Sequence, residues 1–127
     1  MPILDAQHDF AHPVESDTAW SESYYFNTYC PVADVGFYTR IGVRPNEGTI
    51  DVGMHVWLPG QDLAATGGVR EQREMIDSGL SVAGITYERV EPLKRWRITA
   101  DADAVVRDLT GGLDDHRPTH LVIDVTF

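Results

Sequence analysis

Residues 49–59, TIDVGMHVWLP, alternate without a slip. Ile50, Val52, Met54, Val56 and Leu58 fall on one face of an extended chain, and Asp51, Gly53, His55 and Trp57 on the other. A period of two is what a strand with one face in a core demands, because successive side chains point to opposite sides of the sheet. No long helical period competes with it anywhere in the chain, which argues against a parallel α/β sheet.

The same reading extends along the sequence. SESYYFNTY (21–29) is a strand broken by CPVAD, and VGFYTRIGVR (35–44) is the next. RPNEG follows, with Pro45 pre-set for a turn and Gly48 free to take positive φ, so VRPNEG is expected to be a hairpin turn joining paired strands. PGQDLAATGG (59–68) reads as a loop, and VREQREM (69–75) as either a polar strand or a helical turn. Its REQRE run suits a solvated edge strand or a loop contacting a partner. LSVAGITYERVEP reads as one strand and KRWRITADADAVV as another, after a turn at Pro92. RDLTGGLDDHRP is a loop broken at Gly111-Gly112, and THLVIDVTF closes the chain with Leu121, Ile123, Val125 and Phe127 alternating. About seven short strands with Gly- and Pro-marked turns predict an all-β antiparallel barrel or strongly curved sheet, as a single domain over 1–127. Residues 1–19 have no period and read as an irregular arm with a short helical turn near Pro13–Asp17.

The first strand is unusual. Tyr24 and Phe26 share one face, and Tyr25 and Tyr29 the other. In a curved sheet one face turns inward and the other can be covered, so this strand is expected to be buried on both sides, with the arm as its nearest cover. The predicted core comprises Trp20, Tyr24, Phe26, Val52, Met54, Val56, Trp96, Ile98, Leu121, Ile123 and Val125.

Charge narrows the partners. Asp and Glu number 20 against 10 Lys and Arg, a formal charge of −10. A surface of that sign does not suit nucleic acid or an anionic membrane, which need clustered cations. The single cysteine, Cys30, excludes an internal disulfide and suits a reducing cytoplasm. It has no basic partner close in sequence, and reads as a buried or edge residue. The first residues lack the basic and apolar regions of a signal peptide, and no apolar run approaches membrane-spanning length.

Local motifs for chemistry are sparse. His8 and His12, with Asp5 and Asp9, have a helical ligand spacing, but Pro13 follows at once. Asp114, Asp115, His116 and His120 offer ligand types without a recognised spacing, so no metal site is expected. There is no Gly-x-Ser-x-Gly elbow, and TGGVRE lacks the Lys-Ser/Thr ending of a phosphate loop. No cofactor is implied. Polar residues carried on strands are better candidates: Tyr25, Asn27, Arg40, His55, Trp57 and Tyr87 for ligand binding, and His55, Tyr25 and Glu22 for acid–base work. The competing reading puts these residues on a solvated face or in a structural network. If Ile50, Val52, Met54 and Val56 face the interior, His55 lies outside it.

Two stretches, WSESYYFN (Trp20 to Asn27) and RIGVRPNEG (Arg40 to Gly48), followed by a strand ending VWLP, resemble the amino-terminal half of bacterial proteins built from two lipocalin-like (calycin) barrels, the AttH-like and carotenoid-hydratase-like group. The resemblance is specific over roughly residues 18–60 and holds by pattern beyond. It implies an antiparallel barrel with a ligand cavity, and a second half beyond Phe127, which falls inside an alternating pattern. It transfers no catalytic residue.

Two functions are therefore expected to compete. One is binding of a hydrophobic small molecule in a barrel cavity, with a second lipocalin-like half or a second copy of the chain as protein partner, in a two-fold dimer near Phe127 or the rings of the first strand. The other is a hydratase, isomerase or cyclase acting on a terpenoid-, polyketide- or steroid-like substrate. A structural half-domain without a ligand is the third reading. His55 discriminates: inside a cavity and bonded to Tyr25, Asp51 or Arg40 it favours the enzyme, and facing water it does not.

Overall fold

In the computed structural model, which describes residues 6–60, 62–108 and 116–127, eight strands form one antiparallel sheet. They are β1 (Glu22–Cys30), β2 (Val35–Arg44), β3 (Thr49–Leu58), β4 (Asp62–Glu71), β5 (Leu80–Val82), β6 (Ile85–Glu91), β7 (Arg95–Asp108) and β8 (His116–Thr126). The path runs β1-β2-β3-β4-β7-β6-β5, and β8 pairs with β7. The long β7 gives one edge to β8 from Arg97 to Arg107, and shares the other between β6, up to Ala100, and β4, from Val105. Among the described residues before β1, the helical turn is a 3-10 turn at Ala6–Asp9, in place of the one expected near Pro13–Asp17. Among the described residues no helix is long and apolar enough to cross a membrane.

The β2–β3 hairpin forms as its residues predict. Ile41 pairs with Val52, Glu47 N donates to the carbonyl of Arg44, and Gly48 closes the turn at φ +77°. Two expectations need correction. PGQDLAATGG is not a loop, because Asp62–Gly68 belongs to β4. Its glycines serve close approach: a Cβ on Gly67 would lie 2.6 Å from the carbonyl oxygen of Val52, and one on Gly68 2.7 Å from Cβ of Ala83. LSVAGITYERVEP is two strands. Ala83 and Gly84, at φ +52° and +82°, make a two-residue turn of the kind whose twist suits a hairpin. RDLTGGLDDHRP falls largely outside the described residues. Its last residues, His116–Pro118, begin β8.

One face of the sheet carries the core. Ile41, Val43, Ile50, Met54, Leu80, Ile85 and Ile98 are essentially inaccessible, and Tyr24, Phe26, Leu121, Ile123, Val125 and Phe127 pack partly buried against them. Each fully buried side chain of this size contributes about 1.5–3 kcal/mol relative to exposure. The expected core set is buried or half-buried, but Trp20 is not among the side chains packed against this core. The curvature is visible in ring contacts between distant strands. Phe26 of β1 lies 5.8 Å from Tyr87 of β6, 5.4 Å from Trp96 of β7 and 5.1 Å from Phe127, between ring centroids. The sheet has curled until its first strand meets the last ones through side chains, while among the described residues no backbone ladder joins β1 to β8.

The N-terminal arm seals this seam rather than covering the outer side of β1. The Asp9 carboxylate accepts hydrogen bonds from Trp96 Nε1 (3.1 Å) and Leu93 N (3.0 Å), and pairs with Arg89 at 3.4 Å. The guanidinium of Arg89 lies between the rings of Phe10 (4.2 Å) and Trp96 (4.6 Å). Farther along, the Asn46 amide donates to the carbonyls of Glu15 and Asp17. The outward rings of β1 are left open, contrary to the expected double burial: Tyr25 is 54% and Tyr29 60% exposed.

Candidate functional site

Register decides which polar residues meet. Across β1, β2 and β3, Tyr25 lies opposite Arg40, and Arg40 opposite Gly53; Asn27 opposite Tyr38, and Tyr38 opposite His55; Tyr29 opposite Gly36, and Gly36 opposite Trp57. Directly opposed residues in an antiparallel ladder share a face. Tyr25, Asn27, Tyr29, Tyr38, Arg40, His55 and Trp57 therefore all stand on the outer face, away from Met54 and its neighbours. Five of the six expected ligand-binding residues are together there. The sixth, Tyr87, is not. Its ring is in the core and its hydroxyl is 2.6 Å from Thr39 Oγ1, because β6 turns this residue inward with Ile85, opposite Leu80 of β5.

Tyr25, Asn27, Tyr29, Tyr38 and Trp57 of this face line an open groove of about 730 Å³, together with Asp34 of the β1–β2 turn and, at the rim of the sheet, Thr28, Phe37 and Leu58 of the opposite parity. Its floor depends on Gly36: a Cβ there would meet the Tyr29 ring at 3.1 Å, so the glycine lets that ring lie across the strand. The rings hold one another. Tyr38 is 5.3 Å from Tyr25, stacks on His55 at 5.2 Å with 13° between planes, and lies 6.3 Å from Trp57. The polar groups are partly satisfied from within. Asn27 Nδ2 donates to Tyr25 Oη at 2.9 Å, and Tyr29 Oη donates to Asp34 Oδ1 at 2.9 Å. That bond to Asp34, with the carboxylate's charge, holds the Tyr29 phenol above its ordinary pKa. Asp34 itself sits in the β1–β2 turn at φ +51°, a conformation that aspartate tolerates better than most residues.

His55 supports the groove rather than lining it. Its ring is pinned under Tyr38, and its Nδ1 is buried without a hydrogen-bond partner among the described residues. The side chain of Arg40 turns to Asp51 at 3.4 Å, and Arg44 pairs with the same carboxylate. The proposed acid–base trio is not assembled. Glu22, at the start of β1, shares a face with Tyr24 and Phe26 and accepts from the backbone N and Nδ1 of His12, on the side of the sheet opposite Tyr25 and His55. Cys30, at the end of β1, is exposed.

Among the described residues no group of three or more His, Cys, Asp or Glu side chains could hold a metal ion. Asp9 is engaged by Trp96 and Arg89, and His120 by Asp101 and Asp103. Asp5, Asp114 and Asp115 lie outside the described residues.

Sequence reasoning missed Tyr38 and Asp34 as groove residues. Tyr38 has the same strand parity as Arg40, so a signal for it existed. Asp34 is a turn residue whose position no periodicity reveals. No curated protein and no solved structure matches the chain. A family model described as "Domain of unknown function (DUF7064)" matches residues 5–124, and the chain belongs to that family.

Proposed function

We propose that this domain binds a hydrophobic, ring-containing small molecule in the outer-face groove between β1, β2 and β3. The observation that carries the reading is the row of rings left open around that groove, Tyr25, Tyr29 and Trp57, the last 42% exposed, on a sheet whose other face is filled by its own side chains. A largely apolar concavity with a few placed polar groups is the usual form of a small-molecule site. The likeness of Trp20–Asn27 and Arg40–Gly48 to the AttH-like and carotenoid-hydratase-like group supports the same class of ligand. It also supports a second lipocalin-like half, or a second copy of the chain, as the protein partner that shields the groove. A hydratase, isomerase or cyclase would require an acid and a base at the ligand. His55, stacked against Tyr38 and bonded to none of Tyr25, Asp51 and Arg40, does not supply either, so binding is the better supported reading.

The test is a titration of isotope-labelled protein with an uncharged naphthalene probe, followed by amide and indole resonances. Shifts should concentrate at Tyr25, Asn27 and the Trp57 indole, and Trp57→Ala should weaken binding roughly tenfold, as loss of one ring contact implies. Shifts centred on Tyr87 and Phe127 would place the ligand beneath the sheet and overturn the groove assignment.

A further inference from the structure

We propose that the molecule held in this groove carries a positive charge on an apolar frame, as a tertiary or quaternary ammonium does. The inference rests on the groove reading above and adds the ligand's charge to it. Among the described residues lining the groove, Asp34 has the only charged side chain. The remaining polar surface is phenol, amide and hydroxyl. Tyr29 Oη donates a hydrogen bond to Asp34, which fixes the carboxylate beside an exposed ring.

The rings themselves select for a cation. The face of an aromatic ring carries partial negative charge, and tryptophan and tyrosine attract ammonium groups within about 6 Å of the ring centre. Tyr25, Tyr29, Tyr38 and Trp57 bring four such rings to one groove. An alkylated ammonium suits it better than a bare one, because its charge is spread over apolar substituents and it sheds water more readily. A carboxylate or sulfonate would meet Asp34 and electron-rich ring faces with no cation to receive it. Arg40, directly opposite Tyr25, is directed to Asp51 instead. The formal charge of −10 adds a long-range field of the same sign, which raises the local concentration of cations.

Three naphthalene probes that differ only in the head group test this: trimethylammonium, its uncharged tert-butyl isostere, and sulfonate. Calorimetry on the whole chain should rank them in that order, with the ammonium at least about tenfold tighter than the sulfonate. Asp34→Asn removes the carboxylate and keeps a residue that tolerates the turn. It should narrow the gap by roughly threefold, by weakening the ammonium probe, while the ring faces keep the remainder. Asp124→Asn makes the same change in net charge on β8, outside the groove, and should preserve the gap. Equal binding of ammonium and sulfonate, or a gap untouched by Asp34→Asn, overturns the charge assignment alone. Failure of all three probes to bind, or their indifference to Trp57→Ala in a variant with unchanged unfolding midpoint, overturns the groove reading and this inference with it.

Discussion

The hydroxyl of Thr39 and the phenol of Tyr87 lie 2.6 Å apart in the core, joining β2 to β6, which are not neighbours in the sheet. Thr39 Oγ1 also donates to the carbonyl of Gly53 at 2.9 Å. Its single proton is thereby used, so Tyr87 is the donor in the other bond. The two substitutions are consequently unequal. Thr39→Val strands a buried phenolic proton and should cost about 1–3 kcal/mol, whereas Tyr87→Phe removes the donor and leaves only a spare lone pair, at about 1 kcal/mol. Urea unfolding of both variants checks the order. A Tyr87→Phe variant clearly less stable than Thr39→Val would reverse the donor assignment.

The burial contrast between two aliphatic residues on adjacent strands provides the next prediction. Ile98 of β7 is wholly buried, and Val122 of β8 is 77% exposed. Ile98→Ala should lower stability by about 2–5 kcal/mol, the usual cost of a core cavity. Val122→Ala should stay within about 0.5 kcal/mol, as surface substitutions do. Comparable losses in thermal unfolding would mean that the outer face near Val122 is packed.

Legibility followed strand parity. Val35–Arg44 and Thr49–Leu58 could be read because their alternation is long and their turn carries Pro45 and Gly48. β4 could not, because Gly67 and Gly68 resemble a breaker and their role, making room for Val52 and Ala83, exists only in three dimensions. The Ala83-Gly84 turn hid inside an apolar run because alanine rarely takes positive φ. In the site, Tyr25, Asn27, Arg40, His55 and Trp57 share a face through the register of three adjacent strands. Tyr87 is linked to them only through β4, β7 and β6, and its place opposite the buried Ile98 turns it to the core face. Glu22 illustrates the same limit within one strand: it differs in parity from Tyr25, so the two cannot act on one ligand side.

Two glycines at turns separate conformational strain from collision. Gly48 and Gly84 both have positive φ. A methyl on Gly48 would meet nothing nearer than the Arg73 side chain at 3.8 Å, but one on Gly84 would strike the carbonyl oxygen of Asp101. Gly48→Ala should therefore cost only the left-handed penalty, roughly 1–2 kcal/mol. Gly84→Ala should cost distinctly more, since the backbone of β7 must move away from a turn whose carbonyl accepts from Asp101 N. Equal denaturation midpoints for the two variants would show that β7 yields freely.

His120 of β8 is held between two carboxylates of β7, with Nδ1 2.8 Å from Asp103 and Nε2 2.5 Å from Asp101. Carboxylates accept and do not donate, so both ring nitrogens must carry protons and the geometry is that of an imidazolium. Hydrogen bonds to Asp103 and then Asp101 accordingly raise the His120 pKa above its ordinary value. A group whose pKa is raised by folding stabilises the fold fully below its unfolded pKa, about 6.5, and loses that contribution as pH rises through the folded value. The stability difference between the native chain and His120→Gln should thus be greatest near pH 5.5 and fade on the alkaline side. All three side chains are half or more exposed, so added salt should shrink it. A histidine ring titration followed by NMR should place the His120 midpoint above 6.5, with Asp103→Asn moving it down. A midpoint at or below 6.5 in the native chain, or one that Asp103→Asn leaves in place, would mean that the clamp does not persist in solution.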